Sequence, residues 1–373
     1  MLSRLQLTDI ILIINGVSLA VQIFYYLWYY SAVGFKQIPK KKNTDIPVSV
    51  IICARNEENN LRQFLPQILT QDYPNYEVIV VNDASTDNTE SLLKNYSDQY
   101  KHLKFTTITK DKRFTHSKKL AVLVGIKAAK NEWLLFTDAD CKPVSDQWIR
   151  LMARNFTKKT SIVLGYGGFI PQKGLLNNFV RYESFFIAVQ YLGFALRGRP
   201  YMGVGRNMAY RKPLYYEICK HNYFVKLASG DDDLLVNQLA GKNNTRVETD
   251  PRTKTLSTPP QSWRQWFLNK KRHITTARYY TKISKWLLGG EMFFRILFFL
   301  SVGFLFFLPV SWFIPAGAVI VRWIIMGIVF GYAEKLLAEK QLLLSSLIYD
   351  IFIPFIYFII WLTNLSRTAK ISW

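Results

Sequence analysis

Cysteine is scarce here: three residues, Cys53, Cys141 and Cys219, lie far apart in 373. An odd, scattered set excludes a disulfide framework, and no Cys or His pair has the spacing of a zinc site. Neither G-x-G-x-x-G nor the Walker lysine pattern occurs, which excludes a glycine loop that cradles phosphate. Acids are the minority charge, 26 Asp and Glu against 48 Lys and Arg, so the formal net charge is +22. From Pro251 to Gly290 there is no acid at all, against nine Lys or Arg. Trp263, Trp266, Phe267, Tyr279, Tyr280 and Trp286 are interleaved with those cations. Basic and aromatic together suit single-stranded nucleic acid. An apolar run follows directly, however, and favours amphipathic helices lying on an anionic membrane leaflet. Nucleic acid is set aside as a partner on that ground.

Charge is also missing from Ile10 to Tyr30, a stretch long enough to span a bilayer. Glu291 to Tyr332 is a second apolar block, interrupted by Arg295, Pro309, Pro315 and Arg322, and Leu342 to Leu362 is a third, with one acid, Asp350. These runs divide the chain into an N-terminal transmembrane helix (1–35), a globular domain (36–260), basic interfacial helices (261–290) and about three C-terminal transmembrane helices (291–373). Arg4 is the one basic residue before the first run, which is too long for a signal core, whereas Lys36, Lys40, Lys41 and Lys42 follow it. The positive-inside rule then makes the globular domain cytoplasmic, on a multi-pass protein of the cell (inner) membrane. Tyr25, Tyr26, Trp28, Tyr29 and Tyr30 fit an aromatic belt on the same side. Arg322 is costly against lipid, so it is expected against another helix or in a shallow span.

Within the globular part, Val48 to Cys53, Glu77 to Val81, His102 to Thr107 and Glu132 to Phe136 read as strands, alternating with helical patterns at 61–69, 88–100 and 120–129. That order predicts a parallel α/β sheet. Glu57 follows the first strand, Asp83 the second, and Asp138 and Asp140 the fourth. Ligands of such sheets bind outside the carboxyl ends of the strands. Two carboxylates held together there repel each other unless a cation or a shared proton intervenes, and a hard divalent ion takes carboxylates together with substrate phosphates.

Four stretches carry a resemblance: Val50-Ile51-Ile52-Cys53-Ala54-Arg55-Asn56-Glu57-Glu58, Val80-Val81-Asn82-Asp83-Ala84-Ser85-Thr86-Asp87, Lys118 to Gly125, and Thr137-Asp138-Ala139-Asp140. In this order and spacing the chain resembles the GT-A fold of glycosyltransferase family 2, over about residues 46 to 275. The resemblance implies a Rossmann-like, mostly parallel sheet flanked by helices. It also implies that Glu57 and Asp83 contact the nucleoside of a sugar nucleotide and that Lys118 faces the nucleotide. Asp138 would lie near the ribose, and Asp140, with Asp138 beside it, would hold Mg2+ or Mn2+ under the diphosphate. Cys53 stands where the family usually has Pro.

Tyr201 to Arg211, with Gly203 and Gly205, looks like the family's segment beside the donor sugar; an ordinary tight turn is the alternative. Ser229-Gly230-Asp231-Asp232-Asp233 can be a helix cap. The resemblance instead maps the general base to Asp232, with Asp231 in place of the more usual Glu. Where processive members carry Q-x-x-R-W, this chain has Asn269, Arg272 and His273. Arg272 keeps the charge that would neutralise a leaving diphosphate, and His273 removes the usual aromatic floor. The resulting expectation is an inverting, metal-dependent transferase that moves a sugar from a nucleotide diphosphate, with UDP as carrier, to a lipid or lipid-linked acceptor. The alternatives are a processive polysaccharide synthase and an inactive membrane scaffold.

Overall fold

A computed structural model describes residues 7–35, 44–109, 118–221, 223, 224, 227 and 230–365. Arg4, the lysines at 36–42 and Ser229 lie outside the described residues.

The central sheet starts with β1 (Val48–Ala54), β2 (Tyr76–Asp83), β3 (Leu103–Ile108) and β4 (Trp133–Asp138), all parallel, in the order β3-β2-β1-β4. All seven residues of β1 are buried, as a strand covered on both faces requires. Its side chains alternate between two cores. Ile51 and Cys53 enter one, and Val48, Val50, Ile52 and Ala54 enter the other with α3 (Glu58–Leu69) and α4 (Thr89–Gln99). The crossover helix α5 (Lys118–Ala128) packs on the first of these faces.

Two strands run further than their apolar stretches suggest. Asp83 still pairs with Ile108, and Asp138 with Cys53, so both acids end their strands rather than follow them. Beyond β4 the strand direction reverses. After β5 (Cys141–Pro143) and α6 (Trp148–Ala153) come β6 (Ile162–Leu164) and β7 (Gly167–Phe169). Past α7 (Leu175–Leu196), β8 (Met208–Arg211) pairs antiparallel with both β4 and β6. Then follow α8 (Lys212–Ile218), α9 (Asp233–Leu239), β9 (Thr245–Val247) and β10 (Thr255–Ser257). β9 closes the main sheet beside β6, and β5-β10-β7 form a small second sheet.

The remaining helices are α1 (Leu7–Phe24), a π-helical turn Tyr25–Tyr30 leading into α2 (Ser31–Phe35), α10 (Trp263–Ile274), α11 (Lys282–Leu305), α12 (Phe313–Leu336) and α13 (Leu343–Leu365). Four segments, Leu7–Phe35, α11, α12 and Leu343–Asn364 of α13, are long and apolar enough to cross a membrane. The first C-terminal one begins at Lys282, so the last part of the basic stretch expected at 261–290 belongs to its helix, while α10 is set off from it by a 3-10 turn at Thr275–Tyr279 and extended Tyr280.

α1 and α11 are antiparallel. Asn15 Nδ2 donates to Ser301 Oγ (2.9 Å), Gln22 Nε2 to the Glu291 carbonyl (3.1 Å) and Tyr25 OH to the Leu287 carbonyl (2.7 Å). Arg322 does face other helices: it is fully buried, ion-paired with Asp350 and donating to Gln22 Oε1 at 3.1 Å. The aromatic run at 25–30, expected at the lipid interface, is mostly buried, because α7 lies across it; Tyr29 stacks on Phe194 with centroids 4.1 Å apart. The loop between α12 and α13 reaches back into the globular domain. Glu339, 1 % exposed at its side chain, accepts from Tyr166 OH (2.9 Å), Arg181 Nη2 and Lys254 Nζ.

Candidate active site

The carboxyl ends of β1, β2 and β4 lie side by side, since Cys53 pairs with Val81 on one flank and Asp138 on the other. The loops leaving β1 and β2 each contain a residue in the left-handed region, Asn56 at φ 56° and Ala84 at φ 51°. Such backbone persists only where its surroundings hold it. Asn56 Oδ1 accepts from the Thr86 amide (2.8 Å), and the Asn56 amide donates to Ser85 Oγ (2.9 Å). The two loops are thereby locked together, and Asn56, quoted in the sequence only as part of a motif, is the lock. Asn tolerates the left-handed region best of the non-glycine residues, which is the signal that could have found it.

Glu57 precedes the first residue of α3, and its carboxylate accepts from Asn60 Nδ2 at 2.6 Å rather than from a helix amide. Burial raises its pKa against that hydrogen bond, with Asp140 and Asp138 adding to the rise. Asp83 is buried at the end of β2. Asp138 ends β4, and Lys118 at the start of α5 reaches it, Nζ to Oδ1 2.6 Å. Burial alone would raise the Asp138 pKa, but Lys118, with Arg206 and Arg272 behind it, holds it below the usual range. Asp140 sits in the turn after β4, so the turn brings the two acids together, not a shared strand face. Burial, then the neighbouring Asp138, pushes Asp140 up to about 6.

One carboxylate oxygen of Asp138, one of Asp140 and the Cys141 sulfur lie within 4.8 Å of one another. Cys141 Sγ is 3.3 Å from Asp140 Oδ1 and 2.8 Å from Ser257 Oγ, and burial holds the thiol well above its ordinary pKa. It therefore stays protonated, a poor ligand. The two carboxylates, whose mutual repulsion a cation relieves, fit a hard divalent ion with oxygen ligands.

On the other side of Lys118 stands the acid triplet. Gly230, at φ 95°, makes the turn that presents it, a conformation natural to glycine. Asp232 caps α9, Oδ1 accepting from the Asp233 amide and Oδ2 from the Gly205 amide, both at 2.8 Å. A Cβ at position 205 would come 3.3 Å from that Oδ2, so the glycine permits the approach. Here the close backbone approach is to a carboxylate. Burial, then Asp231 and Asp233, pushes Asp232 up to about 7. Asp233 does more than cap: it is buried and accepts from Thr276 Oγ1 (2.5 Å), Tyr280 OH (2.8 Å) and the Leu234 amide.

A cavity of about 340 Å3 opens from Asp231 and Asp232. Lys118, Arg272 and His273 share its upper wall, and Leu288, Glu291, Met292, Arg295, Ile353 and Tyr357 continue it down between the apolar helices. Arg272 Nε is buried and meets no hydrogen-bond partner among the described residues. A smaller cleft at the strand ends, lined by Cys53 and Asp138 among others, shares Lys118 and Asp231 with this cavity. Lys118, Asp138, Asp231, Asp232 and Arg272 are thus brought together around two adjoining hollows. Glu57, Asp83 and Asp140 stand on the strand-end side and line neither.

Residues 49–219 match the family described as glycosyl transferase family 2. A probable glycosyltransferase of Bacillus subtilis, YdaM, is 25% identical over 253 residues, 66% of this chain and 57% of that protein. Glycosyltransferase AglE of Haloferax volcanii is 34% identical over 104 residues, 27% of this chain and 33% of that protein. The alignments thus span about half or less of these relatives' length. Among solved structures, the mannosyltransferase PcManGT of Pyrobaculum calidifontis, in complex with GDP-Man and Mn2+, superimposes with a TM-score of 0.60 at 16% identity. The superposition covers 96% of this chain and 100% of that one, and at this identity it shows a shared GT-A-like fold.

Proposed function

Starting from residues 49–219 as a glycosyl transferase family 2 domain, we propose that the chain is an inverting, metal-dependent glycosyltransferase. It moves a sugar from a nucleotide diphosphate to a lipid or lipid-linked acceptor at the cytoplasmic membrane face. The observation that carries this reading is the single cavity that begins at Asp232 and ends among Leu288, Met292 and Ile353 of the apolar helices. A soluble acceptor needs no such continuation.

Asp138 and Asp140 would hold Mg2+ or Mn2+, which when bound supplies positive charge to the diphosphate. Glu57 and Asp83 orient the nucleoside. Lys118 and the unpartnered Arg272 Nε supply further positive charge on the leaving-group side. Asp232 keeps a free lone pair on each oxygen beside its backbone bonds. It takes the proton of the acceptor hydroxyl as that oxygen bonds to the anomeric carbon and the sugar–phosphate bond breaks, its electrons leaving on the diphosphate. Attack from the face opposite the leaving group inverts the centre. Uridine is the nucleoside the family resemblance implies, and guanosine the nucleoside of the donor held by the neighbour of like fold.

The full chain in detergent, supplied with UDP- and GDP-sugars and Mg2+ or Mn2+, should release nucleotide only when membrane lipid extract is added. Nucleotide release with equal rate and product without the extract would reject the lipid acceptor. Donor binding without transfer to any acceptor would favour the scaffold. For orientation, a cysteine at Ser97 should react with an impermeant reagent only after the cells are opened.

A further inference from the structure

The two ends of the large cavity differ in character. Charged residues line it around Asp232, whereas Phe186, Ile187, Leu288, Met292, Ile353 and Pro354 wall the far end. Glu291 interrupts that apolar wall. It lies on α11, roughly 13 Å along the axis from Lys282. Its side chain is only 4 % exposed. Oε1 accepts twice from Arg295, from Nε at 2.9 Å and from Nη2. No N–H or O–H of the described residues donates to Oε2, which is left to the cavity.

The other polar groups around this end have partners. Arg295 Nη1 stands 3.5 Å from Asp350 Oδ1. The Tyr357 hydroxyl donates to Glu183, and Lys270 pairs with the same carboxylate at 2.9 Å. Gln190 accepts from Tyr201 OH at 2.9 Å and donates to Tyr30 OH at 3.3 Å. Glu291 Oε2 is therefore a polar atom without a partner in an otherwise apolar hollow, and a buried acceptor left in that state is costly.

The missing partner is a donor, because an ionised carboxylate only accepts. It is also uncharged. Arg295 already balances Glu291, and Arg322 balances Asp350 beside them. An ammonium would leave a buried positive charge unmatched, and a phosphate would meet the negative edge of the carboxylate. Esters, ethers and hydrocarbon bring no donor. A hydroxyl or an amide N–H satisfies the oxygen and leaves the charge as it was.

We infer that Glu291 Oε2 selects the acceptor: a lipid that carries, besides the hydroxyl that meets Asp232, a second neutral donor further down, either a hydroxyl or an amide N–H. The role of that lipid as acceptor rests on the transferase reading; the preference of the cavity for a donor does not.

Three lipids with the same acyl chain separate the groups. N-oleoylethanolamine has an amide N–H besides its terminal hydroxyl, 1-oleoylglycerol has a second hydroxyl, and ethylene glycol mono-oleate has neither. Each is titrated separately into the full chain in detergent, and binding is read by native mass spectrometry. At least one of the first two should bind roughly tenfold or more tighter than the glycol ester, and the winner names the donor. Equal affinity for all three, or a preference for the ester, would overturn the inference. In Glu291→Gln the amide oxygen can keep Arg295 while its NH2 turns to the cavity, a donor in place of an acceptor. The preference should then vanish or reverse toward the ester, and a preference equal to wild type would also overturn it. Should that variant not fold, the three wild-type titrations decide alone. With a nucleotide sugar and Mn2+ added, the preferred lipid should promote nucleotide release. A wild type that shows the donor preference but releases no nucleotide would count against the transferase reading and leave the site at Glu291 standing.

Discussion

Lys118 Nζ stands 2.6 Å from Asp138 Oδ1, and Lys118 lines both the strand-end cleft and the large cavity. Burial works against its charge, but Asp138 and Asp231 outweigh that and raise its pKa, so it is an ammonium at any working pH. Lys118→Gln removes a charge-assisted hydrogen bond of about 1.5–3 kcal/mol. Nucleotide diphosphate affinity, measured by calorimetry, should fall roughly 10- to 100-fold.

Asp140 holds its proton up to about 6, so a proton and a divalent cation compete for it. Above that pH the carboxylate is free and the cation binds; as pH falls through 6, affinity for Mn2+ in the presence of nucleotide should weaken. Asp140→Asn should abolish the metal dependence of nucleotide binding at every pH. Metal-dependent affinity equal to wild type, read with and without chelator, would show that the ion sits elsewhere.

Asp232 must be ionised to accept a proton, and its carboxyl is pushed up to about 7. The transfer rate should therefore climb as pH rises through 7 and level off above. Asp232→Asn keeps the shape and removes the base, so transfer should fall by about 100-fold or more while donor affinity survives.

The three acids of the triplet should separate by assay. Asp233 anchors Thr276 and Tyr280, so Asp233→Asn should cost stability, about 1–3 kcal/mol, seen as a lower Tm in detergent. Thr276→Val should repeat part of that loss. Asp231→Asn, facing both hollows, should leave Tm alone and change turnover.

The sequence announced the donor side because its strands are apolar runs that stop at acids, and runs of that kind survive folding unchanged. Only their ends were misjudged, since Asp83 and Asp138 go on pairing after the apolar residues run out. The acceptor side was less legible. β6, β8 and β9 are three or four residues long, too short for a period to show. Asp233 looked like a cap because its partners, Thr276 and Tyr280, lie 43 and 47 residues away. Glu339 sat in a loop of balanced charge, and nothing local shows that Arg181 and Lys254 bury it. Nor does composition show which helix ends are tied down: α13 and α12 are equally apolar, yet the end of α13 is held by a hydrogen bond from Asn364 to the Lys271 carbonyl.

The pairing of α1 with α11 sets an order of events during synthesis. Asn15 and Ser301, which bond in the finished protein, are 286 residues apart in the chain. At roughly 5–20 residues per second, α1 waits on the order of 15 to 60 seconds before its partner leaves the ribosome. Throughout that time Asn15, Ser18 and Gln22 have none of the cover that later buries them. The whole catalytic domain is made in the interval, tethered to a helix that has not yet found its place. A chain stopped before Lys282 would never leave that state, and its exposed amides would invite pairing with any polar helix that drifts past.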